Sequence, residues 1–334
     1  MSKKKVATIL YIFLLFLLLD WCVGYFYTKV IMGYTGKLRK KSVEYHHDLR
    51  ANFKGTDVWG KDTATYYTNS LGFRDRENRE VSLKKNNRNR VLFIGDSFTE
   101  AVGVSYDSSF VGRLDHHFSS RLELLNAGVV SYSPKLYYLK VQALISQGLQ
   151  FDELWVMLDN PDIQDEIVYE GWHPGFWNYS TVLSIYEKLK IRYKKIITPT
   201  ISWEESDYYA ERERWIYDPT IYKKWGERGL QLAIEQTRLL KKLCEENNIQ
   251  LHLVIFPRPE QIKRGAITDR YVAAWDTFCK EHKIDFINLY SSFIYAGDAL
   301  ANQQLIQECF ISGDAHWNAK GHRRVADALV QKLK

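Results

Sequence analysis

The stretch Val91-Leu92-Phe93-Ile94-Gly95-Asp96-Ser97 decides the fold class that we predict for this chain. Its first four residues form a continuous apolar run, which is typical of a strand buried on both faces of a parallel sheet. Gly95 permits a sharp turn of the backbone where that strand ends. We therefore expect Ser97 at the carboxyl edge of the sheet, where open α/β folds bind their ligands.

Further apolar runs of strand length alternate with segments of helical spacing along the rest of the chain. Strands that alternate with helices predict an α/β fold, with a parallel sheet covered by helices on both faces. The last helix is predicted over Val325 to Leu333, with Asn318 as a plausible N-cap. The other predicted strands are 122–130, 153–158, 251–256 and 285–289, and the other predicted helices are 110–118, 136–149, 230–244 and 271–282.

The alternation is interrupted between about residues 161 and 225, in a segment rich in aromatic side chains. The segment is too long for an ordinary connection, so we interpret it as a lid or an inserted subdomain. Its rings are suited to stacking on sugars or gripping acyl chains; the alternative is that they form the small core of the insertion. The rings are Trp172, Phe176, Trp177, Tyr179, Tyr186, Trp203, Tyr208, Tyr209, Trp215, Tyr217 and Trp225.

The N-terminus predicts a membrane anchor. Lys3, Lys4 and Lys5 precede an apolar run that extends to Tyr27 and contains one acidic residue, Asp20. A run of about 22 residues is long enough to cross a hydrocarbon core of roughly 30 Å. The lysines favour a cytoplasmic N-terminus, which places the rest of the chain outside the cytoplasm. No small-residue cleavage site follows the run, so we favour an uncleaved anchor over a signal peptide.

Asp20 is unusual within this span, because a carboxylate in a membrane segment is costly and is often functional or paired. It either lies close enough to the outer interface to be hydrated, or it contacts a partner membrane protein. We predict that residues 1–27 are the anchor and residues 28–88 an extracytoplasmic stalk and N-terminal extension. Residues 89–334 then form the main domain, with the insertion at about 161–225.

Charge and cysteine content exclude two classes of protein. The net charge is +6, but no long run of Lys or Arg accounts for it, so nucleic-acid binding is not predicted. No CxxC pair is present, so the sequence predicts neither a structural zinc site nor a dithiol redox site. A disulfide among the three cysteines beyond the anchor is left open. The cysteines are Cys22, Cys244, Cys279 and Cys309.

Ser97 needs a base before its hydroxyl can act as a nucleophile. The candidate base is His316, in the stretch Asp314-Ala315-His316-Trp317-Asn318 near the end of the chain. Asp314 would set the tautomer of His316 and stabilise the imidazolium. In a loop that enters a helix, two residues spaced in this way can both project toward one site.

These motifs resemble those of a known superfamily. Gly95-Asp96-Ser97 and Asp314-x-His316-Trp317-Asn318 resemble the SGNH/GDSL hydrolases, and within them the membrane-anchored bacterial branch related to polysaccharide O-acetyltransferases. The stretches 45–49 and 68–75 resemble the lead-in segments of that branch. The resemblance implies a three-layer flavodoxin-like fold and ester hydrolysis or acyl transfer, with no metal or other cofactor. It also implies a single-pass protein of the bacterial inner membrane, with its catalytic domain in the periplasm or outside the cell.

The resemblance carries roles onto five positions. Ser97 matches the nucleophile, and its own amide matches one donor of the oxyanion hole. Gly128 matches a second amide donor, and Asn160 matches the side-chain donor of the third motif. Asp314 and His316 match the last motif. Their spacing departs from the commoner D-x-x-H, but the D-x-H-W form occurs in the polysaccharide-acetylating relatives.

The third motif departs from the family pattern, because Pro161 follows Asn160 where an aspartate is usual. A turn or helix-capping role for Asn160 therefore stays open beside the oxyanion role. Three acidic residues follow, and we interpret them as a solvated loop or helix N-terminus in preference to a cation site. They are Asp162, Asp165 and Glu166.

The leading hypothesis is a serine-dependent esterase or acyltransferase that acts on acyl esters, acetyl above all, of an extracytoplasmic glycan. Water as the acceptor gives deacetylation and a sugar hydroxyl gives O-acetylation, and both pass through the same acyl-enzyme on Ser97. One alternative is a catalytically silent glycan-binding or scaffold subunit of a cell-envelope assembly. Another is a lipase or thioesterase for longer acyl chains, with the insertion as its lid.

Overall fold

The computed structural model describes residues 2–27, 37–60, 62–186, 189 and 212–333. Contacts divide the chain into two compact units. The smaller unit is Met1–Asp48 with Trp172–Trp203, and the larger is Leu49–Gly171 with Glu204–Lys334. Of the rings assigned to the insertion, Trp203, Tyr208 and Tyr209 lie outside the described residues.

The smaller unit contains the N-terminal helix, α1 (Lys3–Phe26), and a two-stranded sheet of β1 (Arg39–Lys41) and β2 (His47–Leu49). Within the described part of the chain, α1 is the helix whose length and apolar composition would allow it to cross a membrane. Its side chains are almost all exposed in this unit, as the predicted anchor requires.

The larger unit is built on an eight-stranded sheet. Five of its strands are parallel, and three N-terminal strands extend one edge of the sheet in antiparallel pairs. The strands are β3 (Lys54–Trp59), β4 (Asp62–Thr68), β5 (Arg74–Asp75), β6 (Asn89–Gly95), β7 (Leu122–Asn126), β8 (Glu153–Leu158), β9 (Gln250–Ile255) and β10 (Asp285–Asn288).

The spatial order of the sheet is β10-β9-β8-β6-β7-β5-β4-β3. Counted along the chain, the parallel strands β6 to β10 follow the order 2-1-3-4-5, which is that of flavodoxin-like folds. The predicted fold class is therefore confirmed. The central strand β6 pairs with β7 on one side and β8 on the other, and its four apolar residues have no exposed surface.

Helices cover both faces of this sheet. The helices of this unit include α2 (Ser97–Glu100), α3 (Phe110–Phe118), α4 (Pro134–Ser146), α5 (Asp162–Tyr169), α6 (Glu227–Glu246), α7 (Pro259–Arg264), α8 (Arg270–His282), α9 (Ala299–Cys309) and α10 (Ala319–Val330). One group consists of α3 and α10, which pack together, and the other consists of α4 and α5, which both pack against α6. Right-handed crossovers place these two groups on opposite faces.

Two predicted elements differ from the structure by four residues or more at one end, and most of the others differ by one to three residues. The strand predicted over 122–130 ends at Asn126, because the Asn126 side chain accepts a hydrogen bond from the Gly128 amide and starts a turn. The last helix begins at Ala319, earlier than predicted. Its N-cap is Asn318 as predicted, since the Asn318 side chain accepts hydrogen bonds from the amides of Lys320 and Gly321.

The antiparallel strands β3 to β5 were not predicted. β3 alternates between exposed and half-buried residues, so only one of its faces meets the protein, and such a strand lacks the continuous apolar run of a central strand. Part of the segment predicted as stalk and extension therefore belongs to the sheet. The predicted domain boundary at residue 89 stays a prediction.

Candidate active site

The fold brings Ser97 and His316 into contact, although 219 positions separate them in the sequence. The Oγ atom of Ser97 lies 2.8 Å from Nε2 of His316. On the other side of the ring, Nδ1 is hydrogen-bonded to Oδ1 of Asp314, which also accepts the His316 backbone amide at 2.9 Å. The three side chains thus form a serine–imidazole–carboxylate relay, the arrangement that activates a hydroxyl for acyl transfer.

Ser97 owes its position to the tight turn between β6 and α2. It is the first residue of α2, and the Asp96 side chain caps that helix by accepting the Phe98 amide at 3.0 Å. Gly95 has no positive φ, so the reason for a glycine differs from the expected sharp turn. A Cβ at Gly95 would lie 2.1 Å from Oγ1 of Thr99, so glycine is needed for close packing of the helix against the strand.

Asp96 also lies close to the nucleophile, with Oδ2 3.2 Å from Oγ of Ser97. Burial, followed by the negative charge of Asp159, raises the pKa of Asp96 well above its usual range. Nε2 of His316 lies closer to Oγ of Ser97, at 2.8 Å, and is the nearer acceptor for the Ser97 proton.

Asp159 is in turn neutralised by a buried arginine. Nη1 of Arg258 donates to Asp159 at 2.7 Å, and Nε of Arg258 donates to Glu213 at 2.8 Å. The guanidinium also lies 5.4 Å from the ring centroid of Phe98, the residue next to the nucleophile. The Arg258 guanidinium is thus a buried cation close to the turn that carries Ser97.

The loop that carries Asp314 and His316 is held by its own backbone. Phe310 and Trp317 form an isolated antiparallel bridge, the Ile311 amide donates to the His316 carbonyl at 2.9 Å, and the Asp314 amide donates to the Ile311 carbonyl at 3.0 Å. Trp317 is fully buried. The closed loop therefore projects both catalytic candidates from one rigid base, as the short spacing predicted.

Asp314 is held in its charged form. Burial alone would raise its pKa, but the hydrogen bond and the charge of His316 outweigh burial and lower the pKa of Asp314 to about 2. The indole N–H of Trp59 donates to Oδ2 of Asp314 at 2.9 Å and adds to this lowering. Trp59 also packs edge-on to the imidazole of His316, with ring centroids 4.9 Å apart.

No sequence motif marks Trp59 as a site residue. It is the last residue of β3 and lies in the segment predicted as an extension. The sequence of β3, Lys54-Gly55-Thr56-Asp57-Val58-Trp59, does not alternate between polar and apolar residues, and no local pattern links Trp59 to a loop 255 positions away.

The same N-terminal strands support the nucleophile turn. The guanidinium of Arg74 donates to the carbonyls of Glu100 at 3.0 Å, Ala101 at 2.9 Å and Val104. Ala101 has a φ of +62°, a conformation that costs energy for a residue with a Cβ. The hydroxyl of Tyr66 donates to the Glu100 carboxylate at 2.8 Å. The C-terminal end of α2 is thus held by residues of β4 and β5.

Gly128, a predicted oxyanion donor, lies against the nucleophile turn. A Cβ at Gly128 would lie 2.6 Å from the amide nitrogen of Glu100, so only glycine fits there. Its own amide donates to Oδ1 of Asn126 at 3.0 Å, and Asn126 also donates to the Thr99 carbonyl. The Gly128 amide would have to exchange this bond to bind an oxyanion, and its role stays a prediction.

Asn160, the other predicted donor, is fully buried, and its Nδ2 donates to Oε1 of Gln261 at 2.8 Å. This orientation is fixed by the network, because Nε2 of Gln261 donates to Asp269 at 2.9 Å. Oδ1 of Asn160 has no hydrogen-bond partner among the described residues. The donor group therefore points to Gln261 in this structure, and the oxyanion role stays a prediction.

The acidic residues after Asn160 lie at the start of α5 as predicted, but they are mostly buried and not solvated. Each has its own partner: the hydroxyl of Tyr137 for Asp162, the guanidinium of Arg212 for Asp165, and the hydroxyl of Ser133 with the amide of Lys135 for Glu166. Burial raises the pKa of Glu166 to about 7.

No protein-family model matches the chain, and no curated protein matches it significantly. It resembles a solved member of the lipolytic protein G-D-S-L family from Veillonella parvula, at 14% identity and a TM-score of 0.43, over 72% of this chain and 96% of that one. It also resembles the psychrotrophic esterase EstA from Pseudoalteromonas, at 12% identity and a TM-score of 0.42, over 73% and 95%.

A third solved structure is a catalytic mutant of Axe2, an acetylxylan esterase from Geobacillus stearothermophilus. It matches at 15% identity and a TM-score of 0.43, over 75% of this chain and 95% of that one. One of these neighbours is described as a G-D-S-L protein, and Gly95-Asp96-Ser97 resembles the motif of that family. At such identities only the geometry of the site supports an activity. The narrower likeness to O-acetyltransferases stays a prediction.

Proposed function

We propose that this protein is an SGNH/GDSL-type serine esterase or acyltransferase that forms an acyl-enzyme on Ser97. The observation that carries the proposal is the contact of 2.8 Å between Oγ of Ser97 and Nε2 of His316, completed on the far side of the ring by Asp314. All three side chains are mostly buried, so their mutual hydrogen bonds face little competition from water.

In the first half of the reaction, Oγ of Ser97 attacks the acyl carbonyl and its proton passes to Nε2 of His316. Asp314 stabilises the imidazolium that forms. The ester C–O bond then breaks, the leaving alkoxide takes the proton from His316, and the acyl group stays on Ser97. In the second half His316 deprotonates water or an acceptor hydroxyl, which attacks the acyl-enzyme and frees Ser97.

The oxyanion of each tetrahedral intermediate needs hydrogen-bond donors. The amide of Ser97 suits this role, because N–H groups in the first turn of a helix have no acceptor within that helix. The next amide, that of Phe98, is already bound to Asp96. Gly128 and Asn160 are the further donors that we propose, each after exchange of its present internal bond.

We further propose that the substrate is an acetylated glycan outside the cytoplasm, reached from the bacterial inner membrane. The apolar helix α1 supports membrane attachment. Trp59, half-buried beside His316, offers an aromatic face at the site on which a sugar ring can stack. An ester series with acyl chains of increasing length tests this: we expect acetyl esters to be preferred, whereas a preference for long chains would favour a lipase or thioesterase.

Labelling with a fluorophosphonate tests the nucleophile. The wild-type protein and a Ser105→Ala control should label at the same rate, because the exposed Ser105 hydroxyl contacts only Ser108 among the described residues. Ser97→Ala should not label, and His316→Ala should label slowly, since the serine has then lost its base. Labelling of Ser97→Ala at the wild-type rate would refute the proposed acyl-enzyme.

A second candidate function is a catalytically silent glycan-binding or scaffold subunit. It is favoured by one observation, namely that the donors of Gly128 and Asn160 are both bound to internal acceptors. A protein that binds acetylated glycans but resists the fluorophosphonate and hydrolyses no ester would support this second candidate.

A further inference from the structure

The last two turns of α1 bind a second segment of the smaller unit. The residues that make the contact are Asp20, Trp21, Gly24 and Tyr25, whose spacing places them on one face of the helix. The segment that they bind runs from residue 176 to residue 182, within the stretch predicted as an aromatic insertion.

Asp20 is paired within the chain. One carboxylate oxygen accepts the amides of Thr181 at 3.0 Å and Val182 at 3.1 Å, and the other accepts the hydroxyl of Ser180. Residues 181–186 are helical, so Asp20 supplies an N-terminal cap from another helix. The carboxylate that was unusual in the sequence therefore needs neither bulk water nor a partner protein to satisfy it.

The backbones also approach closely at this contact. A Cβ at Gly24 would lie 1.6 Å from the carbonyl oxygen of Tyr179, so a side chain there would exclude the segment. The indole of Trp21 donates to the Phe176 carbonyl at 3.0 Å. The ring of Tyr179 packs against those of Trp21 and Tyr25, with centroids 5.8 Å and 5.1 Å away.

The position of this contact along α1 indicates its depth in a membrane. Asp20 lies six residues before the end of the helix at Phe26, a rise of about 9 Å at 1.5 Å per residue. From Lys3 to Asp20 the helix rises about 26 Å, so Asp20 lies close to the outer boundary of a hydrocarbon core of roughly 30 Å. Trp21, Tyr25 and Tyr179 are aromatic residues of the kind enriched at that level.

Residues 176–186, which contain this segment, present large apolar side chains outward instead of burying them. Their exposed fractions run from 44% for Trp177 to 68% for Phe176. A polar solvent gives no reason for such a cluster beside an apolar helix, whereas the boundary between headgroups and acyl chains does. The exposed residues are Phe176, Trp177, Val182, Leu183, Ile185 and Tyr186.

Basic residues accompany this apolar surface. The ammonium of Lys41 donates to the Asn178 carbonyl at 2.5 Å and to the Ser184 hydroxyl at 2.8 Å, and Lys37 and Lys40 on the same stretch are exposed. Positive charge beside an apolar surface is complementary to a membrane that carries anionic headgroups.

We propose that residues 176–186 form an interfacial membrane element, held to α1 through Asp20, whose exposed apolar side chains enter the outer leaflet of an anionic bilayer. The proposal rests on α1 crossing the membrane and is independent of the chemistry at Ser97. It implies that the outer end of α1 is fixed at the membrane surface by its own chain.

The test uses the full chain in vesicles of phosphatidylethanolamine and phosphatidylglycerol, with Cys22 changed to Ser so that the exposed thiol is removed. A single new cysteine at Ile185 carries an environment-sensitive fluorophore, and lipids with a spin label near the headgroup serve as quenchers. The matched control carries the fluorophore at Leu300, which is 71% exposed on the larger unit. We expect quenching at Ile185 to exceed that at Leu300 roughly two-fold or more, as for a face buried about 5–10 Å into the boundary.

The contact between Asp20 and residues 180–182 is tested by Asp20→Leu, which removes the acceptor and keeps α1 apolar. We expect the vesicles still to carry the protein in flotation, while quenching at Ile185 falls toward the value at Leu300. Thr8→Leu, at the other end of α1, should change neither measurement, because the Thr8 hydroxyl contacts only a carbonyl of its own helix among the described residues.

Two results would overturn the proposal, and the second would also refute the membrane location of the protein. If the protein floats but the label at Ile185 is as open to aqueous iodide as the label at Leu300, the element is not in the bilayer, and its apolar face is left for a protein partner. If the protein does not float, the membrane location itself fails. Neither result bears on labelling of Ser97 by a fluorophosphonate.

Discussion

Trp59→Phe should slow the chemical step while leaving the fold and substrate binding intact. The substitution keeps an aromatic ring beside His316 but deletes the indole N–H that donates to Oδ2 of Asp314 at 2.9 Å. That bond fixes the plane of the carboxylate while Oδ1 is hydrogen-bonded to the imidazole. Without it, the hydrogen bonds described for the carboxylate are those at Oδ1, and Asp314 can tilt away from the imidazolium that forms in the transition state.

The size of the effect follows from the contact. A hydrogen bond to a charged group contributes about 1.5–3 kcal/mol, and the Asp314 side chain is only 15% exposed, so little is lost to screening. The lower end of that range corresponds to roughly a tenfold fall in kcat. KM for p-nitrophenyl acetate should hardly change, since the indole N–H is directed at the carboxylate and not at the substrate.

Trp155→Phe is a closely matched control. Its indole donates to the Glu153 carboxylate at 2.8 Å, and its ring stacks on His252 with centroids 4.4 Å apart, so it has the same kinds of partner, a carboxylate and an imidazole, away from the relay. Rates of ester hydrolysis and of fluorophosphonate labelling, together with thermal unfolding, separate the two variants. An unchanged kcat in Trp59→Phe, or an equal fall in Trp155→Phe, would refute the positioning role of Trp59.

Three further predictions concern the charge of Asp314, the hydrogen bonds from Arg74 to the nucleophile turn, and the protonation of Glu166. Asp314→Asn should lower kcat about 10⁴-fold. Because the pKa of Asp314 in the folded protein is lowered to about 2, the carboxylate stabilises the fold above about pH 4 and this contribution is lost as pH falls through 2. The urea unfolding curves of the variant and the wild type should therefore converge near pH 2. Arg74→Met should cost about 3 kcal/mol of unfolding free energy or more, since it leaves three carbonyls of the nucleophile turn without their donor; an unchanged urea midpoint would contradict this. Burial raises the pKa of Glu166 from 4.5 to about 7, so this side chain takes up a proton on folding. Its contribution to the free energy of unfolding is complete below pH 4.5, and roughly 3 kcal/mol is lost as pH rises through 7. Glu166→Gln should abolish this pH dependence in urea unfolding.

The apolar runs predicted much of the fold correctly. β8 and α3 have their predicted bounds, and the order of the parallel strands is the predicted flavodoxin-like one. These features are readable because burial on both faces of a strand, and the periodicity of a helix, are recorded in neighbouring residues. The candidate relay was readable for a different reason, since Ser97 and His316 each lie in a motif whose residue types suit one step of a proton transfer.

What the sequence alone determined is therefore local: the buried strands, the apolar N-terminal helix, and the chemical character of Ser97, Asp314 and His316. Only the tertiary structure decided the partners that these groups meet, because a contact across more than a hundred residues depends on strand order and register. It assigned Trp59 to Asp314, Gln261 to Asn160, and the backbone of residues 181 and 182 to Asp20. None of these residues carries a mark in its own sequence neighbourhood that identifies its partner.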